Sequence, residues 1–252
     1  MNRLKQSLIS NTLTIGSWVT IGHQSIIEIM AAADFDWLTI DLEHSVIDIR
    51  EAQNLIAHTQ ANGMFALVRV SKNEEVIIKR VLDAGADGII VPMIKNADEA
   101  KRAVDFAKYP PNGKRGVGLA RAQKYGIGFE DYKNRLNDDL VVIAQVEHIE
   151  AVNNLEDILL VQGIDGIIIG PYDLSGSMSK PGQFEDSDVK DAIKRVEDVC
   201  KKMKKPLGYH IIQPDAAELK DRISKGYSFI AFSLDFLFLG EKAREEMSKI
   251  KR

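Results

Sequence analysis

One cysteine in 252 residues rules out an internal disulfide. Cys200 sits inside the helical pattern of "VEDVCKKM", away from the strand ends and glycine turns that favour a nucleophilic thiol. Such scarcity fits a reducing compartment, and a cytoplasmic location is the expectation. No run of about eighteen apolar residues is present, nor a basic-then-apolar leader with a small-residue cleavage site, so neither membrane insertion nor secretion is expected. Positive charge is not in excess either. The net charge is −4, and the densest basic run, Lys201 to Lys205, reads as the solvated end of a helix, so no nucleic-acid partner is expected.

What is abundant is β-branched apolar sequence in short blocks. "TIGSWV", "WLTIDLE", "MFALVRV", "DGIIVPM", "VVIAQVE", "DGIIIGPYDL", "LGYHII" and "FIAFSLD" read as strands. Between them lie amphipathic stretches such as "DEAKRAVDFAKY", "NLEDILLVQ", "DVKDAIKRVEDVCKKM" and "DAAELKDRISKG", with apolar positions three and four apart. Eight strands alternating with helices in about 250 residues predict an α/β fold, a closed (β/α)8 TIM barrel, with a doubly wound open sheet as the alternative. No linker breaks the alternation, which predicts one domain over residues 1–252. "AGADGIIVP" and "QGIDGIIIGP" repeat a helix end, a glycine and a buried strand, as either a vestige of duplication or a recurring barrel element. The segment 109–132, rich in glycine with two prolines, reads as a long loop and is expected to form a lid or substrate wall over the strand ends.

Polar groups collect where the apolar runs stop. In "WLTIDLEHS", Leu38, Ile40 and Leu42 share one parity and should face the helices, leaving Thr39, Asp41 and Glu43 inward, with His44 at the strand exit. Arg69 ends "FALVR", Gln145 and Glu147 share a parity, and Asp173 follows a Gly-Pro turn. Carboxylates at a barrel mouth need a cation or hydrogen bonds to offset their desolvation. Glu147 and Asp173 end consecutive runs, so they can meet a hard divalent ion such as magnesium or manganese from adjacent strands. Zinc would call for histidine or thiolate, and the five histidines, at 23, 44, 58, 148 and 210, show no short ligand spacing.

In "DLEHS", "VRV", "LDAGADGIIVPM", "YPPNGKRGVG", "QVEHIEAVNNLEDI" and "GIDGIIIGPYDLSGSMSKPGQ", in this order over residues 13–240, the chain resembles the HpcH/HpaI aldolase family. The resemblance implies a divalent-metal-dependent (β/α)8 barrel, using Mg2+ or Mn2+ with Co2+ as a further candidate. It implies cleavage of a 4-hydroxy-2-oxo acid to pyruvate and an aldehyde, with the reverse addition, in a homo-oligomer that is often a hexamer. Carried over by motif, Glu147 and Asp173 are the metal ligands and Arg69 sits near the keto oxygen. His44 and Asp83 form an acid/base dyad, Gln145 lies beside the metal, and the backbone of Gly170, Pro171 and Asp173 holds the substrate carboxylate. Ser71 and His148 depart from the family's usual proline and small hydroxyl residue.

Other readings stay open at this point: a related lyase or decarboxylase acting on a keto acid or thioester, a Schiff-base aldolase using Lys72 or Lys95, and a barrel that binds a keto acid without turnover. The tail "EKAREEMSKIKR" reads as the last helix of the barrel or as one exchanged with a neighbour.

Overall fold

The computed structural model describes residues 1–250. Its eight strands are β1 (Thr14–Val19), β2 (Trp37–Asp41), β3 (Phe65–Arg69), β4 (Gly88–Val91), β5 (Val141–Val146), β6 (Gly166–Ile169), β7 (Leu207–Ile211) and β8 (Phe229–Leu234). All neighbours pair in parallel, and β1 also pairs with β8, so the sheet closes into a (β/α)8 barrel. Each of the eight apolar runs carries one strand, because a parallel sheet covered by helices and filled inside tolerates few polar side chains.

Alternation splits the core in two. Leu38, Ile40, Val68, Ile89 and Ile169 face the helical layer, whereas Trp18, Trp37, Leu67, Ile90, Ile143, Ile168 and Phe229 fill the barrel. Trp37 stacks on Phe229 with ring centroids 4.3 Å apart, and a Cβ at Gly16 would lie 2.1 Å from the Trp37 ring, so only glycine fits there. Leu4 and Leu8, on the helix Arg3–Ile9, join the interior cluster. Lys5 on that helix binds the Leu140 carbonyl and Asp165 just ahead of β5 and β6, placing the helix across the end where strands begin. One end of the barrel is thereby stopped with apolar side chains, and polar chemistry is confined to the other.

Two expectations are corrected. Segment 109–128 follows the helix Ala97–Ala107 and leads into the helix Phe129–Asp139 and then β5, so it lies at the end where strands begin. It cannot cover the opposite strand ends of its own barrel, and residues 129–132 are helical. "GPYDLS" is also more than a turn. Proline at the first position starts a helix, Pro171–Ser177, that carries Asp173 in its first turn.

Cys200 is buried, with burial pushing its thiol up to about 12, which leaves no thiolate for chemistry. The terminal helix, Asp235–Ser248, packs on its own barrel through Phe238 against Phe35 and Phe232. The last two residues of the tail read as helical lie outside the described residues. No helix among the described residues is long and apolar enough to cross a membrane.

Candidate active site

The strand register sets Asp41 beside Arg69 at the carboxyl ends of β2 and β3. Arg69 donates from Nε to Asp41 Oδ1 at 2.9 Å and from Nη2 to Oδ2 at 2.6 Å, while its guanidinium lies 4.4 Å over the Trp18 ring. Burial by itself would raise the Asp41 carboxyl. The hydrogen bonds and charge of Arg69 outweigh it and hold Asp41 below the usual carboxylate range. Asp41 Oδ1 also accepts the amides of Glu43 and His44, which shapes the turn after β2. Glu43 then reaches to 3.3 Å from Arg69 Nη1, and burial raises its carboxyl.

Across the mouth, Glu147 follows β5 and is 4% exposed. Its Oε1 accepts the Met93 amide at 2.6 Å and its Oε2 accepts Gln145 Nε2 at 2.6 Å. Met93 holds a left-handed backbone (φ 53°), a strained geometry for a non-glycine residue that delivers its amide to the carboxylate. Even so, burial pushes Glu147 up to about 7, with the charges of Glu43 and Asp173 adding to the rise. Asp173 is exposed on the first turn of its helix. A Cβ at Gly170 would sit 3.2 Å from both Gln145 Nε2 and Glu147 Oε2, so this glycine lets the backbone close onto the carboxylate.

The donor set fits a hard divalent cation. All candidate atoms are oxygens, two carboxylates repel the charge of Glu147, and Glu43 Oε2 and Gln145 Oε1 are buried without a hydrogen-bond partner. No group of three or more acidic, histidine or cysteine side chains with metal-binding geometry occurs among the described residues. Glu147 and Asp173, the ligands expected from the sequence, are the carboxylates that would hold such an ion.

A cavity of about 390 Å3 joins Asp41, His44, Arg69, Gln145, Gly170, Pro171, Asp173 and His210. A larger one, about 690 Å3, lies at the end where strands begin, between Asp87, Arg121 and Leu140, and holds none of these groups. The smaller is the candidate site because it has the convergent polar groups. Gly170 gives its amide to the Val146 carbonyl and Pro171 has none to give, so the free amides of the "GPYD" turn are those of Tyr172 and Asp173.

His44 and Asp83 are not brought together. His44 follows the carboxyl end of β2, its side chain 67% exposed and its Nε2 3.9 Å from Glu43. Asp83 ends the helix Glu75–Asp83, ahead of β4 and so at the opposite end of the barrel, where it binds Arg115 Nη2 at 2.5 Å. His148 does not turn toward the mouth as a ligand. Its Nδ1 accepts the Glu150 amide at 3.1 Å, so it caps the helix Ile149–Asn153 as a hydroxyl residue would. Ser71 is exposed just past β3. Lys72 is 71% exposed and pairs with Glu74, and Lys95 lies 4.0 Å from Glu150, so neither has the apolar burial that makes a lysine nucleophilic.

Three participants were not singled out from sequence: Trp18, Met93 and His210. Trp18 could have been found from the inward parity it shares with Gly16. His210 is the polar residue in "LGYHII", and burial, with Arg69 nearby, pushes its imidazole down to about 3. Nothing local marks Met93.

A barrel whose strand ends gather an arginine, a glutamine, a histidine and carboxylates has the class features of an enzyme that acts on small acids. Residues 14–239 match the HpcH/HpaI aldolase/citrate lyase family, and the chain belongs to it. It is 37% identical to a hydroxypyruvate/pyruvate aldolase of Sagittula stellata, over 93% of this chain and 92% of that one. It is also 37% identical to a 4-hydroxy-2-oxo-heptane-1,7-dioate aldolase of Salmonella dublin, over 96% and 92%. A crystal structure of an HpcH/HpaI aldolase/citrate lyase family protein from Burkholderia cenocepacia superposes with a TM-score of 0.93 at 32% identity, covering 99% of both chains.

Proposed function

We propose that this chain is a pyruvate aldolase, a carbon–carbon lyase that splits a 4-hydroxy-2-oxo acid into pyruvate and an aldehyde and runs the reverse addition, with a divalent ion held by Glu147 and Asp173. The observation that carries this reading is Glu147, a carboxylate 4% exposed at the end of β5, held by the Met93 amide and Gln145 beside Gly170. Burial with like charges nearby is costly without a cation.

A divalent ion held by Glu147 and Asp173 would supply Lewis acidity toward the keto group of the substrate. The remaining work falls to the protein. The amides of Tyr172 and Asp173 are free to bind the substrate carboxylate. Arg69 lines the cavity, held by Asp41, and would donate to the keto oxygen as negative charge builds there, a contribution of about 3 kcal/mol for a preorganised donor. Gln145, fixed on Glu147, orients that carboxylate. The His44 imidazole would take the proton of the C4 hydroxyl; the C3–C4 bond breaks, its electron pair moves toward C3 and the keto oxygen, and the proton held by His44 passes to C3 to complete pyruvate.

The expected ion is magnesium or manganese, with cobalt as a substitute. A homo-oligomer is the expected state, since His44 and Asp83 can meet only if they come from different copies. The lone buried cysteine is consistent with a cytoplasmic protein. Titration calorimetry with Mn2+ tests the reading: the native chain binds one ion, while Glu147→Ala and Asp173→Ala lose both that binding and pyruvate release from 4-hydroxy-2-oxo acids. Full turnover in excess chelator would refute it.

A further inference from the structure

Segment 109–128 lies at the end where strands begin, and there it folds around one carboxylate. Asp83, the last residue of the helix Glu75–Asp83, has its side chain 19% exposed. Its Oδ1 accepts Arg115 Nη2 at 2.5 Å and Gln123 Nε2 at 3.3 Å, and its carbonyl accepts the Ala122 amide at 3.0 Å. Both donors are themselves fixed. The Arg115 side chain is wholly buried, with Nη1 donating to the Tyr132 hydroxyl at 2.9 Å and the guanidinium 4.9 Å over the Tyr109 ring. Gln123, also buried, donates to the Tyr109 hydroxyl at 2.9 Å and accepts the Ala120 amide at 3.0 Å.

This pair differs from Asp41 and Arg69 in one respect. Asp41 gives both oxygens to its arginine, which closes that pair off. Asp83 gives Oδ1 to two donors, and its Oδ2 accepts no hydrogen bond among the described residues. Gly118 keeps space in front of Oδ2, since a Cβ there would lie 3.2 Å from that oxygen. On either side of Gly118, Val117 and Leu119 are 59% and 62% exposed, so apolar surface that a second copy can cover borders the oxygen. An ion pair serving stability alone gains by satisfying both oxygens. Here two preorganised donors fix the carboxylate in one orientation and leave its second oxygen as a free acceptor.

We infer that Arg115 and Gln123 are positioning residues of the lyase reaction: they turn Asp83 so that Oδ2 faces out past Gly118 to accept the ring N–H of His44 from a second copy. This rests on the pairing of His44 with Asp83 in the reading above, and it makes the segment a cradle for the aspartate that one copy supplies to another. A fixed acceptor sets the tautomer and orientation of an imidazole, so its displacement is felt in proton transfer and not in binding.

The test uses the Mn2+-loaded protein and two variants, Arg115→Lys and Gly118→Ala, the second adding one methyl beside Oδ2 without touching the buried donors. Each is expected to lower kcat for pyruvate release by about tenfold or more and to change KM by less than about twofold. By calorimetry each should bind Mn2+ and pyruvate as the native protein does. Subunit mixing then assigns the defect. Mixed with His44→Ala, either variant should regain turnover, because some sites combine an intact histidine from one copy with an intact cradle from the other. Mixed with Asp83→Asn, neither should, because both partners lack the same contribution. Recovery with Asp83→Asn, native kcat in both variants, or loss of Mn2+ binding in Gly118→Ala overturns the inference while leaving the aldolase reading in place. Native kcat in Asp83→Asn removes the pairing and the inference with it, and absence of pyruvate release by the native protein removes the aldolase reading itself.

Discussion

Asp41 grips Arg69 through both carboxylate oxygens, and Trp18 lies beneath the guanidinium, so three strand ends fix the arginine that lines the cavity. A planar fork is needed for this arrangement, and lysine has none. Arg69→Lys is therefore expected to keep the charge and lower kcat/KM by about a hundredfold or more, read by steady-state kinetics. Asp41→Ala, which leaves the buried guanidinium without its two-pronged partner and with only the more distant charges of Glu43 and Glu147, should cost about 3 kcal/mol in urea unfolding. Because Asp41 is held below its usual range, its contribution is complete above that range and is lost as pH falls through the folded-state value. An unchanged unfolding midpoint in the alanine variant would sink this account.

The same pair shows what sequence makes legible. Strands buried on both faces read as apolar runs, and parity along "LTIDLE" and "FALVR" turns Asp41 and Arg69 toward one interior, so the fold and half of the site follow from periodicity of two. Parity says nothing about which end of the barrel a connection occupies. Segment 109–128 has the composition of an active-site loop, yet the helix before it, Ala97–Ala107, has already carried the chain to the other end. Met93 is illegible in the sequence because a left-handed methionine has no sequence signature; its amide is turned to the Glu147 carboxylate by the chain after β4. His148 follows a candidate ligand and looks chemical, but its ring nitrogen has the acceptor geometry of a helix cap.

His44 and Asp83 stand at opposite ends of one barrel. If the two act as a dyad, each site takes its aspartate from another copy. His44→Ala and Asp83→Asn should each lower kcat by about 10²–10⁴-fold. Mixed after subunit exchange, the two variants should regain turnover that neither has alone, because some sites receive intact partners from both. Asparagine at 83 keeps a hydrogen-bond acceptor for Arg115, so loss of activity is separable from loss of packing. Exchange demonstrated by native mass spectrometry without any recovered turnover would eliminate the pairing.

His210 carries the last prediction. Its ring lies 5.2 Å from Trp18, its Nε2 is enclosed with no partner, and burial followed by the Arg69 charge pushes it down to about 3, against weaker upward pulls from Asp41 and the Ser233 backbone. The folded protein thus refuses a proton that the unfolded chain accepts near its ordinary value of 6.5. Between those values the unfolded state binds more protons, so stability rises with pH; the contribution is whole above about 6.5 and drains away on acidification toward about 3. The slope for one such group is about 1.4 kcal/mol per pH unit. Urea unfolding at pH 5 and pH 7.5 should differ by about 2 kcal/mol more in the native chain than in His210→Asn, the comparison removing the carboxylates common to both. The imidazole proton signals of His210 should remain those of the neutral ring down to pH 4.5. A ring that titrates near 6.5 in the folded protein would mean that the barrel floor is wet and that Arg69 is screened from it.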